Sequence, residues 1–294
     1  MDEREWLTER FEEHRTRLRA VAYRMLGSLS DADDAVQEAW LRLSRADTGS
    51  VENLGGWLTT VVARVCLNML RTRQSRREEP LDVLAPDPIV SRESGVDPEQ
   101  EAELADSVGV ALLVVLETLS PAERLAFVLH DMFAVPFEEI GPMIERSPAA
   151  ARQLASRGRR RVKGGAPGPD ADLTRQRQVV DAFLTATRGG DFDALVTMLH
   201  PGVVLRADKA VVPTPAPIVI SGAHTVAKSA MAAMQRARYT GPALVNGAVG
   251  LVMAPRGRLF LVLSFAITDG EVTEIDVIAE PDRLRQLDIA VLDD

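Results

Sequence analysis

Apolar residues recur at helical spacing early in the chain. Ala35, Val36, Ala39, Trp40 and Leu43 lie three and four residues apart and so share one helix face. Ser30-Asp31-Ala32-Asp33 reads as the start of that helix, a hydroxyl cap with a carboxylate three residues on. A polar, glycine-containing break follows over residues 46–56. Helical periodicity resumes over 57–70 and runs into the basic stretch Arg71-Thr72-Arg73-Gln74-Ser75-Arg76-Arg77.

The pattern changes at 78–105, where Pro80, Pro86, Pro88 and Pro98 stand among nine acidic residues. Proline fixes φ and removes a backbone donor, so this segment is predicted to be a linker. Helical periodicity returns over 106–163. Ser120-Pro121-Ala122-Glu123 combines a hydroxyl cap, proline at the first helical position and glutamate at the third. Ser147-Pro148 repeats the cap and proline. The run of glycine and proline over 164–169 ends the helical part, and 164–173 is predicted to be a second linker.

Residues 174–294 differ in kind. Helices are predicted over 175–186 and 192–199, with His200-Pro201 marking the end of the second. Strand signals follow. A strand over 244–253, a turn at Pro255-Arg256-Gly257 and a strand over 259–267 read as a hairpin. Asp269-Gly270 before 272–278 reads as another. Helix signals preceding strand signals indicate an α+β domain. The predicted organisation is thus helical over 1–77, linker over 78–105, helical over 106–163, linker over 164–173 and α+β over 174–294.

Charge first argues against a nucleic-acid partner and then for one. The net charge is −9, but residues 78–105 hold nine acids and one base. That segment supplies nearly all the excess. From Arg146 to Lys163 there are seven basic residues and no acidic one. Whole-chain charge governs solubility, whereas a local basic face governs phosphate contact. Hydrophobic residues make up 46% and charged residues 26% of the 294, an ordinary balance for a soluble protein. The one cysteine, Cys66, permits neither an internal disulfide nor a zinc ribbon. The N-terminal segment is charged, and the longest apolar run, 108–116, falls well short of the roughly 20 residues that span a bilayer. A soluble, cytoplasmic chain without membrane attachment is expected, and no spacing suggests a metal or a cofactor.

The most informative stretch is PFEEIGPMIERSPAAARQLASRGRRRV, residues 136–162. Two short helical pieces flank Glu145-Arg146-Ser147. Ile140 and Ile144 can pack on Ala151 and Leu154, and the small Ala149, Ala150 and Ala151 suit close helix approach. This is helix-turn-helix spacing, in which the second helix enters the major groove. Its exposed positions would carry Arg152, Gln153, Ser156, Arg157, Arg159, Arg160 and Arg161. Arginine bonds guanine or phosphate and glutamine reads adenine. The later arginines are placed for backbone contact. Gly141-Pro142 inside the first helix predicts a kink or early end, and Glu145 stands where such motifs often place glycine.

These segments carry a resemblance. LSPAERLAFVLHDMFAVPFEEI and RQLASRGRRRV, within 106–163, resemble region 4 of extracytoplasmic-function RNA polymerase sigma factors. AYRMLGSLSDADDAVQEAWLRL and GGWLTTVVARVCLNMLR, within 1–77, resemble region 2. Residues 174–294, with RQRQVVDAFLTATRGGDFDALVTMLHPGVVLRAD, resemble the SnoaL-like branch of the nuclear-transport-factor-2 fold, a sheet curled around helices into a cone. The implied protein has two all-α sigma domains, the second a helix-turn-helix, followed by an α+β cone-shaped domain.

The resemblance also implies partners and roles. Asp33, Ala35, Gln37, Glu38 and Leu41 match the surface that docks on the β′ clamp helices of core RNA polymerase. The break at 46–56, with Asn53, matches the loop that captures a flipped −10 base. Asn68, Arg71 and Arg73 are placed to contact −10 DNA. The second helix of the helix-turn-helix would read the −35 element of promoter DNA beside the β flap. The cone is a candidate site for a small-molecule ligand. Of the motifs such fused sigma factors carry, this chain retains Glu79-Pro80-Leu81, Ala207-Asp208-Lys209 and Glu280-Pro281-Asp282-Arg283-Leu284, the first two degraded. Regulatory contacts are expected at Asp208, Lys209, Pro281, Asp282 and Arg283.

Two other classes compete. A one-component repressor would pair a helix-turn-helix with a ligand domain but would not bind core polymerase. A cone-fold isomerase or hydrolase would depend on Asp208, His224 or Asp276, yet no acid–base pair or metal-ligand spacing is forced. The expectation is an initiation subunit and not an enzyme.

Overall fold

The computed structural model describes residues 3–45, 53–76, 108–164, 171–211 and 216–292. The acidic linker, most of the 46–56 break and most of the glycine-proline linker lie outside them. The chain forms two compact units: residues 1–101 with 116–160, and residues 102–115 with 161–294.

Three helices begin the first unit: α1 (Glu3–Leu26), α2 (Leu29–Leu43) and α3 (Leu54–Arg76). Their shared core includes Leu18, Val21, Leu29, Val36, Leu58, Val62 and Leu67. The α2 face predicted from spacing is the buried one, with Ala35, Val36, Ala39 and Leu43 inside. Its start is one turn-fraction earlier than predicted. Ser28, not Ser30, caps it, because Gly27 at φ 74° turns the chain and leaves Ser28 extended, facing the Asp31 N–H. Asn53 caps α3, its Oδ1 accepting from the Gly56 N–H at 2.9 Å.

The next helices are α4 (Val110–Thr118), α5 (Pro121–Phe127), α6 (Phe137–Met143) and α7 (Pro148–Lys163), with a single π-turn at Val128–Met132. The division between the two units falls within α4. The capping box at α5 forms as predicted, with Ser120 and Glu123 bonding each other's backbone N–H. Pro142 occupies the last turn of α6, which ends one residue later. Glu145 then takes the left-handed conformation, φ 57°, that glycine would adopt without strain. The glycine is needed at 141 instead: a Cβ there would lie 2.8 Å from the Arg146 carbonyl oxygen.

The second unit begins with α8 (Ala171–Gly189) and α9 (Phe192–Met198), close to their predicted spans. Its seven-stranded sheet has the order β2-β1-β6-β5-β4-β3-β7, comprising β1 (Leu199–Ala207), β2 (Ile218–Ser221), β3 (Thr240–Val245), β4 (Ala248–Met253), β5 (Leu261–Thr268), β6 (Glu271–Ile278) and β7 (Ile289–Ala290). Among the described residues, only the β1–β6 pairing is parallel. Helix α8 packs on β3 and β4, and α10 (Ala223–Ala232) packs on β1.

The strand predicted over 244–253 is instead the two arms of a hairpin. Asn246 at φ 51° and Gly247 at φ 84° form its two-residue turn. Asn-Gly is the favoured pair for such a turn because both positions need positive φ. The apolar residues on either side hid it. The turn at Asp269-Gly270 forms where predicted.

Candidate nucleic-acid and polymerase interfaces

Helix α7, the second helix of the helix-turn-helix, sorts its own residues. Ala151, Ala155 and Gly158 are buried and pack it down. At about 100° per residue, Gln153, Ser156 and Arg160 lie on the opposite face. Gln153 and Arg160 are exposed and Ser156 is half-buried. Arg152 and Arg157 flank that face. The Arg152 guanidinium lies 5.3 Å above the Phe137 ring, and Arg157 sits 3.7 Å from Glu123. Arg159 and Arg161 fall at the borders of the packed face. Arg159 is held 2.7 Å from Asp131 in the π-turn. Burial raises the Asp131 pKa, an effect that Arg159 and His130 oppose. The seven predicted contacts are thus not equivalent. Gly158 allows the close approach, since a Cβ there would lie 2.9 Å from that of Phe127.

On α2, Asp33, Gln37 and Leu41 line one exposed face at four-residue steps, and Leu41 is one of two large apolar side chains exposed among the described residues. Glu38 is half-buried at 2.9 Å from Arg42. Asp33 takes a bidentate bond from Arg19, at 2.7 and 3.1 Å. Ala35 is a correction: it is fully buried in the three-helix core and presents no side chain to a partner.

On α3, Asn68 and Arg71 are exposed. Arg64 joins them one turn earlier, a residue the sequence reading passed over although its spacing to Asn68 and Arg71 is four and seven. Arg73 behaves differently. It pairs with Asp31 at 2.5 Å and donates to the Leu26 carbonyl at the end of α1, so its guanidinium serves the fold. Asn53 is exposed but engaged as the α3 cap.

In the second unit, pieces of the predicted regulatory set meet each other. Asp208 is 6% exposed. One of its oxygens accepts from the N–H groups of Ala279 and Glu280, both at 2.9 Å, and the other accepts from Arg283. Burial alone would raise its pKa, but the two backbone donors and the guanidinium outweigh that and lower it. Lys209 lies 3.9 Å from Glu280, while Pro281 and Asp282 are exposed in the short turn Pro281–Leu284. Asp208 is therefore a brace between β1 and the segment after β6, with both oxygens bonded and held as the anion. His224 is exposed, edge-on to Phe192, and Asp276 is half-buried on β6. Among the described residues no cluster of metal ligands occurs, and no helix is long and apolar enough to cross a membrane.

Two helical modules, one ending in a helix-turn-helix with a polar, arginine-flanked face, have the build of a DNA-binding transcription factor. Residues 10–76 match sigma-70 region 2 and residues 109–162 match sigma-70 region 4. The chain is 37% identical to the ECF RNA polymerase sigma factor SigJ of Mycobacterium tuberculosis, over 93% of this chain and 91% of that one. It is 35% identical to the probable ECF RNA polymerase sigma factor SigI of the same species, over 93% of each. The crystal structure of M. tuberculosis SigJ aligns over 95% of this chain and 98% of that one, with 34% identity and a TM-score of 0.46. The chain belongs to the extracytoplasmic-function sigma factor family. It is a transcription initiation factor whose partners are RNA polymerase and promoter DNA, with an α+β sheet domain following its two helical domains.

Proposed function

We propose that α2 docks this sigma factor on the β′ clamp helices through Asp33, Gln37 and Leu41. Helix α3 and the loop before it engage the −10 element through Asn68, Arg71 and Arg64. Helix α7 reads the −35 element through Gln153 and Arg160, with Arg152 and Arg157 on flanking phosphates and region 4 seated at the β flap. The observation that carries this reading is the α7 face, where polar and basic side chains stand directly opposite the small residues that pack the helix down. Such work places the protein in the cytoplasm with RNA polymerase.

The sheet domain is proposed to tune this activity without needing a ligand. Support comes from the second unit itself, which includes the first half of α4. A Cβ at Gly241 on β3 would lie 3.0 Å from that of Val110, and Val291 donates to the Val162 carbonyl at 3.0 Å. Both ends of the region 4 match are thereby tied to the sheet.

Run-off transcription with core polymerase and the full-length chain tests the whole. Leu41→Arg should abolish core binding, and Arg160→Ala should weaken promoter binding while leaving core binding intact. Transcription unaffected by both would overturn the assignment.

A further inference from the structure

Charge is unevenly distributed along the sheet domain. Residues 209–268 contain six basic residues and no acidic one, whereas the rest of 174–294 holds six basic residues and thirteen acidic ones. Folding brings four of those basic residues to one end of the sheet. Arg236 and Arg238 lie in and just after the short helix α11 (Met234–Ala237), which leads into β3. Arg256 and Arg258 lie in and just after the 3₁₀ turn Pro255–Gly257, which joins β4 to β5. The two segments are neighbours, because Thr240 pairs with Met253 and the Ala254 N–H donates to the Tyr239 carbonyl at 2.9 Å. Arg188 of α8 braces the first of them, donating to the Ala237 and Thr240 carbonyls at 3.1 and 2.7 Å.

The acids at this end of the sheet are already matched. Asp208 bonds Arg283, Glu280 faces Lys209 at 3.9 Å and Asp282 bonds Arg285. Asp191, which lies near Met234 across Gly190, caps α9. Asp269 and Glu271 stand at the opposite end, where β5 turns into β6. Among the described residues none of the four arginines has an ion pair. Arg256 and Arg258 are exposed, and Arg236 and Arg238 are half-buried. Arg256 is held at φ 54°, a conformation that glycine would take without strain. Arg238 lies 4.9 Å over the Tyr239 ring, with its Nε buried and unbonded. Like charges gathered without counter-charges repel one another, and an anion from outside would relieve that.

We propose that Arg236, Arg238, Arg256 and Arg258 form a further, sequence-independent DNA contact, in which the sheet domain grips the phosphate backbone of the duplex that α7 reads. The proposal rests on the assignment of α7 to the −35 element. The sheet domain is bonded to the last turn of α7, where Val291 donates to the Val162 carbonyl at 3.0 Å. Val291 follows β7, which pairs with Leu244 and Val245 at the end of β3 away from the arginines. The five residue steps from Thr240 to Val245 span about 17 Å. That is the length of about five base pairs at 3.4 Å each. Duplex engaged by α7 therefore runs within reach of the arginine end. An open row of arginines suits a polymer of phosphates, whereas a small anion needs an enclosing pocket. Contacts of this kind position a protein on DNA without reading its sequence.

The test measures binding of labelled promoter duplex, extended on both sides of the −35 element, by holoenzyme containing the full-length chain over a series of salt concentrations. Arg256→Gln with Arg258→Gln, both at exposed sites, should leave core binding unchanged and weaken DNA binding about tenfold at low salt. The slope of log K against log salt should fall by about 1.8, at ~0.9 per phosphate. The loss should be the same on duplex with a scrambled −35 element. Arg256→Lys with Arg258→Lys should keep the wild-type slope, because a phosphate needs only the charge. An unchanged slope in the glutamine variant would overturn the proposal, as would equal loss in the glutamine and lysine variants. Unchanged DNA binding, with inorganic pyrophosphate raising the Tm of the wild-type chain but not of the glutamine variant, would overturn it in favour of a small phosphorylated ligand. Failure of the α7 assignment reads differently: Arg160→Ala would leave the preference for intact over scrambled −35 duplex unchanged, while the slope still fell in the glutamine variant.

Discussion

Helix α7 and the Asp208 brace are both charged, and they use charge in opposite ways. On α7 the packing is done by Ala151, Ala155 and Gly158, so Gln153 and Arg160 face outward with no structural duty. At Asp208 the charge itself is the packing: a carboxylate 6% exposed satisfies two backbone N–H groups and an arginine. Charge displayed on a surface built by other residues is available for recognition. Charge whose every oxygen is bonded internally is available only for stability. The two sites should therefore separate cleanly under mutation.

The largest effect belongs to Asp208. Asp208→Ala removes the acceptor for the buried Ala279 N–H and for Glu280, which should cost about 3 kcal/mol. Chemical denaturation followed by a probe in the sheet domain measures this. Promoter affinity per folded molecule should be unchanged. The pH dependence has a fixed sign. The folded pKa lies below the ordinary aspartate value of 3.8, so the stabilisation is full above that value and is lost as pH falls through the folded pKa. Asp208→Asn should remove this acid limb from the unfolding profile. A carboxylate serving as a catalytic base would instead leave stability alone.

Next in size is the contrast within α7. Arg160→Ala should weaken promoter binding by about 1–3 kcal/mol if it meets a base edge. If it meets a phosphate, the loss should be uniform across sequences and lower the salt slope by about one. Arg159→Ala should do less to DNA binding and more to stability, because Arg159 is engaged with Asp131. Salt-dependent fluorescence anisotropy on the polymerase holoenzyme, with thermal unfolding of each variant, distinguishes them. Equal loss of DNA binding at both positions would break the comparison, since it would mean that an arginine tied to the fold reads promoter as well as an untethered one.

Much of this was legible from residues alone. The helix faces, the α5 capping box and the helix-turn-helix follow from local spacing, and local spacing survives folding. The division of labour among arginines was not legible, because it depends on partners far away in the chain. Arg73 resembles Asn68 and Arg71 in sequence and differs only because Asp31 and the Leu26 carbonyl come within reach. Asp208 was singled out through the motif Ala207-Asp208-Lys209, but its partners Ala279 and Glu280 lie some seventy residues on. Ala35 was placed on the docking face by the resemblance alone, although its spacing to Ala39 and Leu43 already set it on the apolar face that the three helices bury. The hairpin at Asn246-Gly247 was hidden differently, by apolar strands on both sides that read as one.

The smallest expected effect tests whether a local signal was read at the right residue. Ser28 and Ser30 both precede the α2 apolar face, and both have a hydroxyl that would suit a cap. Ser28 is 9% exposed, extended, and accepts from the Asp31 N–H, whereas Ser30 lies within the helix. Ser28→Ala should cost about 1 kcal/mol and Ser30→Ala no more than about 0.5 kcal/mol. The cap bond is long, at 3.4 Å, so its contribution belongs at the modest end of the range for caps. Paired denaturation curves of the two variants settle which hydroxyl matters. The reverse order would place the cap at Ser30, and Asp31, which anchors Arg73, would then be the first helical residue instead of the third.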